Sequence, residues 1–364
     1  MKILIYLGHP AHFYIYKNSI GEWKNHGHEI FILIKKKDIL EDLLCEAGLP
    51  YYNILEEGRK DSKFGILKGM IKRAFRLFAF CLKHKPDILT GTSVENSFVG
   101  KLLHIPVINV NEDDAAVVPM YAKLSYPFAS EILTPIVCDN GKWNNRSLKY
   151  NSYHELAYLH PNHFTPDKKI VENYFSVDRP YFIIRFAKLN AHHDHGIRGI
   201  NVGIAEKIIE ILKPLGDIHI TSERELEPQF EPYRIKINPL HMHHVMAFAR
   251  LYIGDSQTMA AEAGVLGIPF IRFNDFVGRI GYLRELEDVY NLGYGIRTNE
   301  VDKIYQAINH IFSMDNKDKV FENRRMKMLS EKIDYSKFLT WFIENYPESA
   351  KIIKSNPEYQ YRFR

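Results

Sequence analysis

Residues 253–273 read IGDSQTMAAEAGVLGIPFIRF. An apolar run ends at Gly254, Asp255 and Ser256 follow, and a stretch of small and apolar residues leads to Gly267 and a second apolar run, 269–273. Asp and Ser before such a stretch cap a helix, and Gly behind it ends one. Strand, helix and strand in sequence make a parallel crossover. The chain is therefore read as α/β, with a parallel sheet covered on both faces.

The same rhythm runs outward in both directions. Strands are expected at 2–7, 29–34, 87–90 and 106–110, then at 181–186, 217–221, 251–254 and 269–273. Helices are expected at 15–25, 38–47, 63–85, 201–213, 243–249, 257–266, 300–312 and 317–332. The polar stretch around Pro161, Pro166 and Pro180 interrupts the alternation. The expected organisation is two doubly wound, Rossmann-like domains facing a cleft: 1–165, a linker at 166–180, a second domain at 181–332, and a helical tail at 333–364. Ligands of such sheets sit beyond the carboxyl ends of the strands.

Composition excludes several classes. At 364 residues there is chain enough for two cores. Net charge of +4 is too mild to imply nucleic acid. Cys45, Cys81 and Cys138 are scattered and in no metal-ligand spacing, which fits a reducing cytoplasm. The opening MKILIYLGHPAH reads as a first strand rather than a signal peptide, and no apolar run is long enough to span a membrane.

The turn at 255–258 has a chemical reading. A helix N-terminus presents unpaired N–H groups and the positive end of its dipole, which together hold a phosphate. Ser256, Gln257 and Thr258 add side chains there. Glu262, four residues after Thr258 and roughly 6 Å along the axis, shares its face. A diphosphate at the N-terminus would bring its ribose to that carboxylate. The plainer alternative is a capped helix with a solvated Glu.

GDSQTMAAEAGVLGIPFIR resembles the donor-site motif of GT-B-type proteins, especially UDP-N-acetylglucosamine 2-epimerases and the lipid-linked glycosyltransferases of cell-wall synthesis. The likeness is strongest to an uncharacterised family described as predicted glycosyltransferases of that superfamily. It extends over most of the chain, including GHPAHFYIYKNSIGEWKNHGHEI and FAKLNAHHDHG. The resemblance implies a GT-B fold, a nucleotide-sugar donor expected to be uridine-linked, and a saccharide or lipid-linked saccharide acceptor. It implies Ser256, Gln257 and Thr258 at the diphosphate, Glu262 on the ribose, and Leu240 and His241 around the base. No cofactor or metal is expected. Gln257 stands where the superfamily motif often has Gly. The 2-epimerases' aspartate after the fourth strand is replaced by Thr92-Ser93, and FAKLNAHHDHG stands in place of their basic motif. Epimerase or hydrolase chemistry is accordingly the second reading, and a non-catalytic nucleotide-sugar-binding protein the third.

Catalytic candidates follow from position. His12, in GHPAHFY after the first strand, can take a proton from an acceptor hydroxyl, or can merely cap the helix or order its loop. Glu112 and Asp113, after the strand at 106–110, can supply a carboxylate base, or form a solvated loop or helix cap. Arg185 and Lys188 can neutralise phosphate. His193 is a further donor-binding candidate and Asp194 a further acid–base candidate. His192, His193 and His195, with His241, His243 and His244, invite a zinc reading, but in no known ligand spacing. Finally, the helix at 63–85 carries Lys68, Lys72, Arg73, Arg76 and Lys83 on one arc, with Phe64, Leu67, Ile71, Phe75 and Phe78 largely opposite. Either the apolar arc faces the core or the helix contacts the inner face of an anionic membrane.

Overall fold

The computed structural model describes residues 1–35, 39–54, 63–187 and 199–364, apart from the side chains of residues 63, 64, 66 and 67. Two compact units are formed, one by Met1–Tyr158 with Lys332–Arg364, the other by Leu159–Glu331.

The first unit runs β1 (Lys2–Leu7), α1 (Pro10–Asn25), β2 (Glu29–Ile34), α2 (Leu40–Glu46), β3 (Tyr52–Asn53), α3 (Lys63–His84), β4 (Ile88–Gly91), α4 (Val94–Leu103), β5 (Val107–Val110), α5 (Pro119–Ser125), β6 (Glu131–Pro135) and β7 (Ser147–Tyr150). Its strands pair in parallel in the order β3-β2-β1-β4-β5-β6-β7. Leu77 and Cys81 of α3 and Val99 of α4 pack with Leu4, Leu33, Leu89 and Val107 of the strands, so α3 and α4 share one face of the sheet.

The second unit runs α6 (Lys168–Glu172), β8 (Tyr181–Phe186), α7 (Val202–Leu212), β9 (Asp217–Ser222), α8 (Met242–Ala247), β10 (Leu251–Gly254), α9 (Gln257–Val265), β11 (Phe270–Phe273), α10 (Gly281–Arg284), β12 (Gly293–Ile296), α11 (Asp302–Ser313) and α12 (Lys317–Glu331). Its parallel order is β12-β11-β10-β8-β9. The chain then returns to the first unit as α13 (Tyr335–Glu344) and α14 (Glu348–Ser355).

Three local outcomes differ from the sequence expectations, each for a physical reason. Helix α1 begins at Pro10, not at residue 15, because Pro is pre-organised for the first helical position and His9 caps it, its Nδ1 accepting the Ala11 N–H at 3.2 Å. His12 therefore stands in the first turn of a helix, not on a loop. The stretch at 166–180, expected as a linker, belongs to the second unit: Val171 is buried and Phe175 stacks on His219 with ring centroids 3.8 Å apart. The segment at 333–364, expected as a tail, packs on α1. Ser19 Oγ lies 3.3 Å from Ser336 Oγ, and the Trp23 indole N–H donates to Thr340 O at 3.4 Å. Buried Phe338 packs against Tyr150 and Phe363, with ring centroids 5.9 and 5.8 Å away.

Helix α3 is also turned from the expected orientation. Arg73 is buried, not surface-facing, with its Nε 2.6 Å from Glu95 Oε1 on α4. The Ser93 hydroxyl donates to the other Glu95 oxygen at 3.0 Å, and Arg76 donates to Ile54 O at 2.9 Å. Ile71 and Phe75, inside on the core-facing reading, are exposed. Pairing Arg73 with a carboxylate satisfies a charge that the core could not otherwise hold, and Arg73, Leu77 and Cys81 together form the inward face of the helix. Among the described residues no helix is long and apolar enough to cross a membrane.

Candidate functional site

In the second sheet β8 and β10 are neighbours, but the chain leaves β8 toward β9 and β10 toward β11. This is the topological switch point, where an α/β sheet holds its ligand. Gly254 ends β10 beside Arg185 of β8. A side chain at Gly254 would put Cβ 2.4 Å from the Tyr252 hydroxyl and 2.9 Å from Arg185 Cβ, so only glycine fits.

The four polar residues of the turn have separate roles. Asp255 is buried and does not cap the helix. Its Oδ1 accepts the Ala187 N–H at 2.6 Å, and it also receives the Ile200 N–H, anchoring the chain on both sides of the segment after β8. Burial pushes its carboxyl up to about 6, against the lowering effect of those N–H donors. Ser256 is the N-cap, its Oγ accepting the Met259 N–H at 3.4 Å. Gln257 and Thr258 are half-buried in the first turn of α9, and Gln257 Oε1 finds no partner among the described residues.

Glu262 is buried rather than solvated. Its Oε1 lies 3.0 Å from Nε2 of His243, itself buried on α8. The pair ties the donor-motif helix to the segment expected to hold a base. There Leu240 N–H is capped by Asn238 Oδ1 at 2.9 Å, and His241 Nδ1 is 2.8 Å from the Tyr174 hydroxyl. Both Leu240 and His241 are half-buried. Arg185 is paired with Glu223, and its Nε is buried without a partner among the described residues. The Tyr252 hydroxyl, buried at this corner, is likewise unpartnered among them. Lys188, His192, His193, Asp194 and His195 lie outside the described residues.

In the first unit the candidates gather at strand carboxyl ends. Gly8 N–H donates to His12 Nδ1 at 3.2 Å. An accepting Nδ1 leaves the proton of the neutral ring on Nε2, so this imidazole offers a donor, not a lone pair. Burial, then the neighbouring His9, His154 and Lys35, hold its pKa well below the usual histidine value. Glu112 is joined to His154, a residue that sequence reading missed. Glu112 Oε2 accepts the His154 N–H at 3.1 Å, and Oε1 is 3.3 Å from its Nδ1. Burial first, then the charge of Asp113, raises the Glu112 carboxyl well above the ordinary range. Burial takes His154 down to about 3, and its Nε2 has no partner among the described residues. Asp113 is half-buried beside them.

Two parallel, doubly wound α/β units of these strand orders define a GT-B-type fold. The chain belongs to the family described as "Protein of unknown function (DUF354)", whose model matches residues 1–336. No curated protein matches the sequence. Among solved structures, the fold is similar to MnaA of S. aureus in a co-structure with UDP, at 12% identity and TM-score 0.66, covering 96% of this chain and 97% of that one. It is similar to the UDP-GlcNAc 2-epimerase of Neisseria meningitidis bound to UDP-GlcNAc, at 16% identity and TM-score 0.62, covering 94% and 99%. It is also similar to SsfS6, a glycosyltransferase of Streptomyces sp. SF2575, at 12% identity and TM-score 0.59, covering 95% and 100%.

Proposed function

We propose that the protein is a glycosyltransferase that takes a sugar from a nucleotide donor, with UDP as the carrier, for surface polysaccharide or glycolipid synthesis. The observation that carries this reading is the corner at the ends of β8 and β10. There the N-terminus of α9, with Ser256, Gln257 and Thr258, follows directly on the switch-point strand. Those N–H groups suit a diphosphate, and Arg185 suits the charge that grows on it as it leaves. Glu262, held by His243, suits the ribose hydroxyls. The UDP and UDP-GlcNAc ligands of two similar structures support the carrier.

In the transfer, an acceptor hydroxyl oxygen attacks the anomeric carbon, and the bond from that carbon to the diphosphate oxygen breaks. UDP leaves with the electron pair, and the hydroxyl proton goes to a base. We assign the base to Glu112, whose carboxyl is raised above the ordinary carboxylate range by burial and Asp113, and which is oriented by the His154 N–H. His12, with Nδ1 occupied, is assigned to positioning. Similarity to 2-epimerases keeps a second reading, alteration of the sugar nucleotide itself.

The deciding experiment incubates the protein with UDP-sugars, with and without saccharide and lipid-linked acceptors. Acceptor-dependent release of UDP supports transfer. An altered sugar nucleotide or free sugar without acceptor identifies epimerase or hydrolase chemistry. Absence of any thermal shift with UDP overturns the donor assignment, because a ligand of the folded state must raise the melting point.

A further inference from the structure

The outward face of α3 is apolar where a solvated helix would be polar. Ile71, Phe75 and Leu82, at spacings that keep them on one side of the helix, are 59%, 72% and 54% exposed. On α4, in the same layer, Leu102 is 68% exposed. Exposed apolar side chains gathered on neighbouring helices mark a surface that meets something other than water.

Among the described side chains of α3 and α4, the exposed charge is of one sign. Lys68 and Lys83 on α3 and Lys101 on α4 are exposed. Helix α3 carries no acidic residue along Lys63–His84, and the single acid of α4, Glu95, is buried against Arg73. With Arg73, Leu77 and Cys81 inward, the solvent side of the helix straddles the border between its apolar and basic arcs. Apolar side chains flanked by lysines, along a helix lying flat, are the pattern of an interfacial helix.

We propose that this face of the first unit docks on an anionic membrane surface. Ile71, Phe75 and Leu82 enter the headgroup boundary, and Lys68, Lys83 and Lys101 meet lipid phosphates. A second copy of the chain fits less well. Two such faces would oppose lysines to lysines, with no acid of α3 or α4 exposed to offset them. Helix α3 already packs Leu77 and Cys81 into the core, so Ile71, Phe75 and Leu82 are a second apolar set that the core does not cover.

The test is flotation with phosphatidylcholine vesicles, with and without phosphatidylglycerol, at low salt. No nucleotide is added, so the outcome is independent of the donor reading. The protein is expected to float only with the anionic vesicles. Lys68→Gln/Lys83→Gln/Lys101→Gln should lower partitioning roughly 100-fold, at ~1 kcal/mol for each basic residue. Ile71→Ser/Phe75→Ser should lower it at least about tenfold through lost apolar burial. All five positions are exposed or flank the exposed face, so unchanged melting temperatures are expected and check that the variants fold. Wild-type protein that stays with the pellet in anionic vesicles overturns the proposal, as does flotation unaffected by either variant. A dimer that Ile71→Ser/Phe75→Ser dissociates, without flotation of the wild type, assigns the face to a second copy instead.

Discussion

Glu262 Oε1 and His243 Nε2 stand 3.0 Å apart, both side chains buried, across the contact of α9 with α8. Glu262 is thus a fixed carboxylate. An acceptor already held in place loses little side-chain freedom on meeting a ligand.

That fixation makes the ribose assignment testable without unfolding the site. Glu262→Gln keeps an oxygen for His243, so its melting temperature should stay near wild type. Its affinity for UDP should fall by roughly 2–3 kcal/mol, the range of hydrogen bonds to a charged group. The 2′-deoxy analogue should lose less in the variant than in the wild type. Titration calorimetry reads both, and equal UDP affinity for the two proteins sinks the assignment.

Asp255 gives a pH signature of stability. Its folded carboxyl is up at about 6, against ~3.9 for an unfolded Asp. The folded state therefore holds the proton more tightly, and between those values stability rises as pH falls. The expected size is about 2–3 kcal/mol over pH 7 to 4. Asp255→Asn, which still accepts the Ala187 N–H, should lack this component. Glu112 and Glu287 are raised as well, so the measured quantity is the difference between the two melting curves against pH. Parallel curves would refute the shift.

Much of this was legible in the chain. Short apolar runs such as 181–186 and 251–254 mark buried parallel strands, and Ser256 before AAEAG marks a helix start. What sequence could not convey depends on partners distant along the chain. His154 lies 42 residues from Glu112 and meets it only because β5 and β7 end on the same edge of one sheet. Arg73 falls among lysines on a helical wheel, and only Glu95 across α4 makes it a core residue. The return of α13 to α1 is a tertiary contact between segments more than three hundred residues apart.

The Arg73–Glu95 pair should be strongly asymmetric in its response to mutation. Arg73→Met leaves the Glu95 carboxylate buried beside Ser93 without its cation, and should cost about 3–5 kcal/mol. Replacing both, as Arg73→Met/Glu95→Leu, should cost clearly less, since no charge is left stranded. Urea unfolding of the two single variants and the double closes the cycle. Additive losses would mean that the two charges are not coupled.

Glu112 and His12 divide the chemistry assigned to the first unit. Nδ1 of His12 is taken by the Gly8 N–H, so the neutral ring can donate through Nε2 but has no lone pair there to take a proton. His12→Gln retains a donor amide and should keep most of the wild-type kcat. Glu112→Gln removes the group that takes the proton, and should lower kcat by roughly 10²–10⁴-fold. Its effect on donor affinity should be small, because the donor's anchors are assigned to α9 and its neighbours. The base must be ionised to act, and burial together with Asp113 raises its carboxyl. Activity should therefore fall as pH drops through a value above the ordinary carboxylate range, and Glu112→Gln should lose that acid limb. UDP release measured across pH with a competent acceptor reads all three. If His12→Gln loses as much kcat as Glu112→Gln, or Glu112→Gln keeps both its rate and its acid limb, the assignment of the base to Glu112 fails.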